Sequence, residues 1–105
     1  MIGQAAKFSL GQIVWNQGTQ YRGVIVDVDP EFQGAEDWLE GLEDTEPQRH
    51  QPWYSLLVDD TEQMAYVPEQ SLVHDNSEVP VNNPAMDYFV GEMENGRYTV
   101  QQTLN

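Results

Sequence analysis

Apolar residues in this chain come in short runs cut by turn residues, and their spacing predicts strands. The first run, Phe8-Ser9-Leu10-Gly11-Gln12-Ile13-Val14-Trp15, ends in β-branched residues, and Asn16-Gln17-Gly18 then supplies turn chemistry. In the second run, Tyr21 to Asp29, strand alternation puts Val24, Val26 and Val28 on one face and Ile25, Asp27 and Asp29 on the other. Gly23 reads as a bulge or a close backbone approach, and Pro30, which has no N–H, ends the ladder. About five turn residues separate the two runs, so they predict an antiparallel hairpin. Pro52-Trp53-Tyr54-Ser55-Leu56-Leu57-Val58 predicts a third strand, Asp59-Asp60-Thr61-Glu62 a turn, and Met64-Ala65-Tyr66-Val67 the returning strand. Pro68 to Leu72 has room for one helical turn before Val73 and His74. Asp75 to Asn83 reads as a polar linker, and Pro84 to Val90 as a short helix with Pro84 in its first turn. Asn95-Gly96 then turns the chain into a last short strand, Arg97-Tyr98-Thr99-Val100.

Residues 31–51 break this pattern. They hold Glu31, Glu36, Asp37, Glu40, Glu43, Asp44 and Glu46, opposed by Arg49. Trp38, Leu39 and Leu42 recur at helical spacing, enough for a turn or two inside a long acidic loop. The expected fold is therefore mostly β: a small SH3-like barrel of about five strands with a long acidic loop and a short C-terminal helix. The expected organisation is one domain over residues 1–105, with the loop at 31–51, the linker at 75–83, and helix and tail at 84–105.

Charge narrows the function. Eighteen acidic residues face four basic ones, for a formal charge of −14. Nucleic-acid binding draws on Lys and Arg to displace counterions, and the supply here is Lys7, Arg22, Arg49 and Arg97. An anionic membrane repels such a chain, and no apolar run approaches the roughly 20 residues of a membrane span. Cysteine is absent, which removes disulfide and thiolate chemistry and suits a reducing compartment, so the expected location is cytoplasmic with no signal peptide. Three Trp, five Tyr and three Phe in turn-bounded runs argue for a folded core beneath the acidic surface.

Lys7-Phe8 with Gly11-Gln12-Ile13-Val14, then Tyr21-Arg22-Gly23-Val24-Ile25-Val26-Asp27-Val28-Asp29-Pro30, then Pro52-Trp53-Tyr54, resemble the heat shock protein HspQ family, the YccV-like or hemimethylated-DNA-binding domain. Asp59-Asp60, Ala65-Tyr66-Val67-Pro68-Glu69, Leu72, Asn83-Pro84, Tyr88-Phe89 and Gly96-Arg97-Tyr98 extend the resemblance over nearly the whole chain. It implies an SH3-like barrel without enzymatic activity, a cytoplasmic stress role, influence on degradation by the Lon protease, self-association, and affinity for hemimethylated DNA. The C-terminal tail departs from a DNA-binding pattern in being poor in Lys and Arg.

Candidate residues follow from these constraints. A DNA-binding surface would have to use Lys7, Arg22 and Arg49, against the net charge. His50, His74, Ser55 and Ser71 stand in no motif that activates an acid, base or nucleophile, so no catalytic residue is expected. Asp27, Asp29 and Glu31 alternate, and Asp59-Asp60 adds oxygens, but the glycine and closing glutamate of a calcium loop are missing; loose counterions are expected rather than a bound metal or cofactor. Trp53, Leu57 and Val26 suit the core of a small barrel. Trp15, Tyr21, Trp38 and Tyr54 exceed what such a core holds and are candidates for a protein-binding surface. Leu39 and Leu42 join Trp38 there, as an amphipathic docking segment or a loop packed back on the barrel. The expected partners are a Lon-type protease or its substrates and a second copy of the chain.

Overall fold

The computed structural model describes residues 6–33 and 50–102. Among these residues seven strands form two sheets: β1 (Ile13–Asn16), β2 (Tyr21–Asp29), β3 (Trp53–Val58), β4 (Met64–Pro68), β5 (Leu72–His74), β6 (Val90–Glu94) and β7 (Arg97–Val100). The larger sheet is antiparallel in the order β4-β3-β2-β1-β5, and β6 and β7 make a separate hairpin. Among the described residues a 3-10 turn, Glu69–Ser71, links β4 to β5, and a short helix, α1 (Met86–Phe89), precedes β6. The predicted β1–β2 and β3–β4 hairpins are both present. The predicted closure is not: β4 and β5 end the sheet on opposite sides and do not pair, so the barrel expectation is corrected to an open, five-stranded sheet.

The central strands are buried on both faces. On one face Ile13, Val24, Val26 and Leu57 pack with Val81, Phe89, Val90 and Tyr98, so α1 and the β6–β7 hairpin cover it. On the other, Val14, Ile25, Tyr54, Leu56, Val67 and Leu72 come together from all five strands, with Phe8 and Leu10 laid against them. Each such aliphatic side chain contributes on the order of 1.5–3 kcal/mol when fully buried. Between Ile25 and Asp27 the β2–β3 register slips by one residue. That bulge reverses the side-chain parity, and Val28 packs with Ile25 instead of with Val24 and Val26 as simple alternation predicts. Gly23 is the close backbone approach: a Cβ there would sit 2.8 Å from the Leu57 carbonyl oxygen.

The segment expected to be a linker, 75–83, is tied down along its length. Val81 N–H donates to the Tyr98 hydroxyl at 3.0 Å, and the Asn83 amide donates to the carbonyls of Val58 and Gln63, each at 3.0 Å. Asn83 Oδ1 accepts from Ala85 N–H at 2.9 Å, which sets the entry to α1. The expected helix over Pro84–Val90 shortens to Met86–Phe89, because Val90 opens β6. Asn95 and Gly96, both at positive φ, turn β6 into β7.

Gly11 joins the two sheets. Its N–H donates to Ile25 at 2.7 Å and its carbonyl accepts from Tyr98 N–H at 2.8 Å, with φ at +85°. A Cβ at this position would overlap the Tyr98 carbonyl. Gly11→Ala is therefore expected to destabilise the fold by about 2–4 kcal/mol. Gly18→Ala, at negative φ with only a 3.4 Å contact, should change stability by under about 0.5 kcal/mol. Urea unfolding of the two variants measures the contrast.

Candidate interaction surface

Arg22 lies one residue from Gly23 on β2, directly across from Trp15 on β1. Its Nη1 donates to Asp59 Oδ2 at 2.8 Å and its Nε to Asp75 Oδ2 at 2.9 Å. Nη2 donates to the Ser77 hydroxyl at 3.4 Å and to the Val79 carbonyl. Asp59 accepts from Asn82 N–H with its other oxygen at 2.6 Å, and Asp60 N–H donates to the Asn82 carbonyl at 2.7 Å. The three charged side chains are only 12–17 % exposed. Burial opposes the charge on Arg22, but the bonds to Asp75 and Asp59 outweigh it and raise its pKa. Burial likewise opposes ionisation of Asp75, and hydrogen bonding from Ser77 and Arg22 overcomes it, leaving the carboxyl below its usual value.

The other two DNA candidates do not join this site. Lys7 is exposed, and its backbone N–H is held by Glu69 at 2.8 Å; Arg49 lies outside the described residues. Arg97, on β7, makes no ion pair among the described residues and lines an open groove of about 700 Å³ with Ser9, Gln12 and His74. Sequence reasoning did not single it out; its placement depends on the pairing of β7 with Gln12. His74 Nδ1 meets the Gln12 amide at 2.9 Å, and His50, exposed, lies 4.0 Å from Glu31. Among the described residues no group of three or more His, Cys, Asp or Glu is arranged to hold a metal ion.

Of the aromatic candidates, Tyr54 is corrected. It is wholly buried, because Glu69, itself only 5 % exposed, accepts its hydroxyl at 2.7 Å. Phe8 packs edge-on against the ring and donates its N–H to the same hydroxyl at 3.2 Å. Burial, then the bond to Glu69, pushes the Tyr54 pKa well above its usual value. Trp53, Leu57 and Val26 are core residues. Trp15 and Tyr21 are half-buried. Trp38, Leu39 and Leu42 lie outside the described residues.

A second groove, of about 650 Å³, follows β4 where the sheet stays open. Met64 and Tyr66 contribute from the strand, Tyr21 and Asn16 from the first hairpin, and Ser71 from the turn before β5. Tyr66 donates its hydroxyl to Asp29 at 2.7 Å, accepts from Gln33 N–H at 3.0 Å, and packs with Phe32 and the buried Trp53. Met64, at 42 % exposure, is one of the few large apolar residues open to solvent. Neither Met64 nor Tyr66 stood out in the sequence, because their position at an open edge depends on the strand order.

These features sit within a recognised domain. A family model described as hemimethylated DNA-binding protein YccV-like matches residues 6–97. The chain belongs to the YccV-like family. Arg22, Asp59 and Asp75 of this YccV-like chain all lie inside the matched span, as does the groove along β4.

The Arg22 clamp carries a pH signature. Asp75 has a depressed folded pKa, so its contribution is complete above the unfolded value near 3.9 and disappears as pH falls through the lower folded value. Asp75→Asn is expected to cost about 1–3 kcal/mol at neutral pH and to make the loss of stability below about pH 4 shallower. Arg22→Ala, which leaves two carboxylates without their cation, should cost about 2–3 kcal/mol, and Arg22→Lys should recover only part because it lacks the fork. Denaturant titrations at a series of pH values read all three.

Proposed function

We propose that this YccV-like chain is a non-enzymatic modulator of stress proteolysis of the HspQ kind, acting in the cytoplasm through contacts with a Lon-type protease or its substrates. In this reading its open five-stranded sheet is an SH3-like one whose surface serves for docking. The observation that supports it best is the state of Arg22: the most central of the candidate DNA contacts is already committed to Asp59 and Asp75. Phosphate recognition would have to break two charge-assisted bonds in a molecule carrying a formal charge of −14. Half-exposed aromatic rings beside an apolar groove suit a protein partner instead. The absence of a transmembrane candidate among the described helices is consistent with this.

A second reading, recognition of hemimethylated DNA, draws on the family description and on Arg97, a cation unpaired among the described residues that stands beside His74 in its own groove. Arg97→Ala is the informative variant for it, since Arg22→Ala also weakens the fold. The protein-contact reading expects proteolysis by a Lon-type protease to change about severalfold or more when the chain is added, with duplex affinity weak and unchanged by Arg97→Ala. Steeply salt-dependent binding to a hemimethylated duplex, reduced about tenfold by Arg97→Ala while substrate turnover stays constant, would reverse the order of the two readings.

A further inference from the structure

The unclosed edge of the sheet has a definite backbone pattern. Val58 N–H donates to the Gln63 carbonyl at 3.0 Å, and Glu69 N–H to the Pro52 carbonyl at 2.9 Å. With Leu56 opposite Ala65 and Tyr54 opposite Val67, these bonds fix which residues of β4 face β3. In an antiparallel ladder the bonded residues alternate, so Gln63, Ala65 and Val67 bond inward. The main-chain N–H and C=O groups of Met64 and Tyr66 therefore point away from the sheet, along an edge where no further strand follows among the described residues. Pro68 has no N–H and closes that edge at its far end.

The same edge borders the apolar groove, and the charged residues that flank β4 along the chain are acidic. None of the residues lining the groove is charged. Beside it stand Glu62, two residues before Met64, and Asp29, bonded to the Tyr66 hydroxyl. Neither side of this stretch of β4 carries a Lys or Arg in the chain, from Val58 to Val73. A second copy would bring another net charge of −14 to this edge. An extended segment that alternates apolar and basic residues fits better: its backbone meets Met64 and Tyr66, its apolar side chains enter the groove, and its cations face the flanking carboxylates.

We infer that β4 is a strand-addition site for an extended, basic segment of a partner protein. This rests on the protein-contact reading and specifies the chemistry of the partner. The site takes one added strand, and Pro68 limits its extent.

The test uses the full chain and a short capped peptide alternating lysine and valine, followed by amide-resolved NMR and hydrogen exchange. The expected result is saturable shifts and slowed exchange at the Met64 and Tyr66 amides, with affinity reduced about tenfold or more when alternate peptide nitrogens are methylated. A glutamate–valine peptide of the same length should bind at least about tenfold more weakly at low salt. Equal binding of the methylated or the glutamate peptide would overturn the inference. So would shifts confined to residues such as Trp15 and Val73, or protection of Met64 and Tyr66 by self-association without peptide. A parallel assay of protease turnover separates the two claims. Changed turnover with no peptide protection at β4 removes the strand-addition site and keeps the function; protection at β4 with unchanged turnover does the reverse.

Discussion

The guanidinium of Arg22 is the point at which the pieces of this fold are held together. It binds the turn after β3 through Asp59 and the segment after β5 through Asp75, Ser77 and Val79. Asp59 in turn fixes Asn82, one residue before Asn83 anchors the start of α1. That path delivers Val81, Phe89, Val90 and Tyr98 onto the face of the sheet carrying Val24, Val26 and Leu57. One cation thus converts a polar stretch without regular structure into a strap for half of the core. Two hydrogen-bonded carboxylates and low exposure make this worth more than an isolated surface ion pair, whose contribution is about 0–1 kcal/mol.

The same commitment shapes function. On the protein-contact reading, a cation that organises a strap is not at the disposal of a phosphate; the remaining described cations, Lys7 and Arg97, are attached to different parts of the fold. Acidic surface is the larger part of the chain's electrostatics. In the proposed reading it favours basic partners and raises their rate of encounter, whereas affinity comes from apolar contact and from backbone pairing. The groove beside β4 offers both.

The strands were the most legible part of the sequence. Alternating apolar residues and turn residues marked β1 through β4 and β7, and the Pro68–Leu72 stretch marked the turn between β4 and β5. Three features depended on tertiary contacts that no local pattern carries. Val90–Glu94 contains Gly91 and two glutamates, poor strand formers, and becomes a strand by pairing with β7. Val28 changes face because of a bulge that simple alternation does not contain. Asp75–Asn83 looks like a linker until Arg22, distant in sequence, reaches it.

The site was less legible than the fold. Tyr54 looked like a surplus aromatic, yet Glu69 and Phe8 N–H satisfy its hydroxyl inside the core. Met64 and Tyr66 gain their importance from lying at a sheet edge, a property of strand order rather than composition. Arg22 looked like a free cation because the sequence does not reveal that Asp59 and Asp75 converge on it. Whether that clamp stays closed in the presence of DNA is the most direct question to put to this account. Titrating a hemimethylated duplex into protein labelled with nitrogen-15 at arginine, while following the Arg22 Nε–H signal, answers it. A closed clamp gives a signal that keeps its position and its protection from exchange throughout; a saturable shift with loss of protection would show Arg22 leaving Asp75 for phosphate, and would contradict the structural role assigned to it.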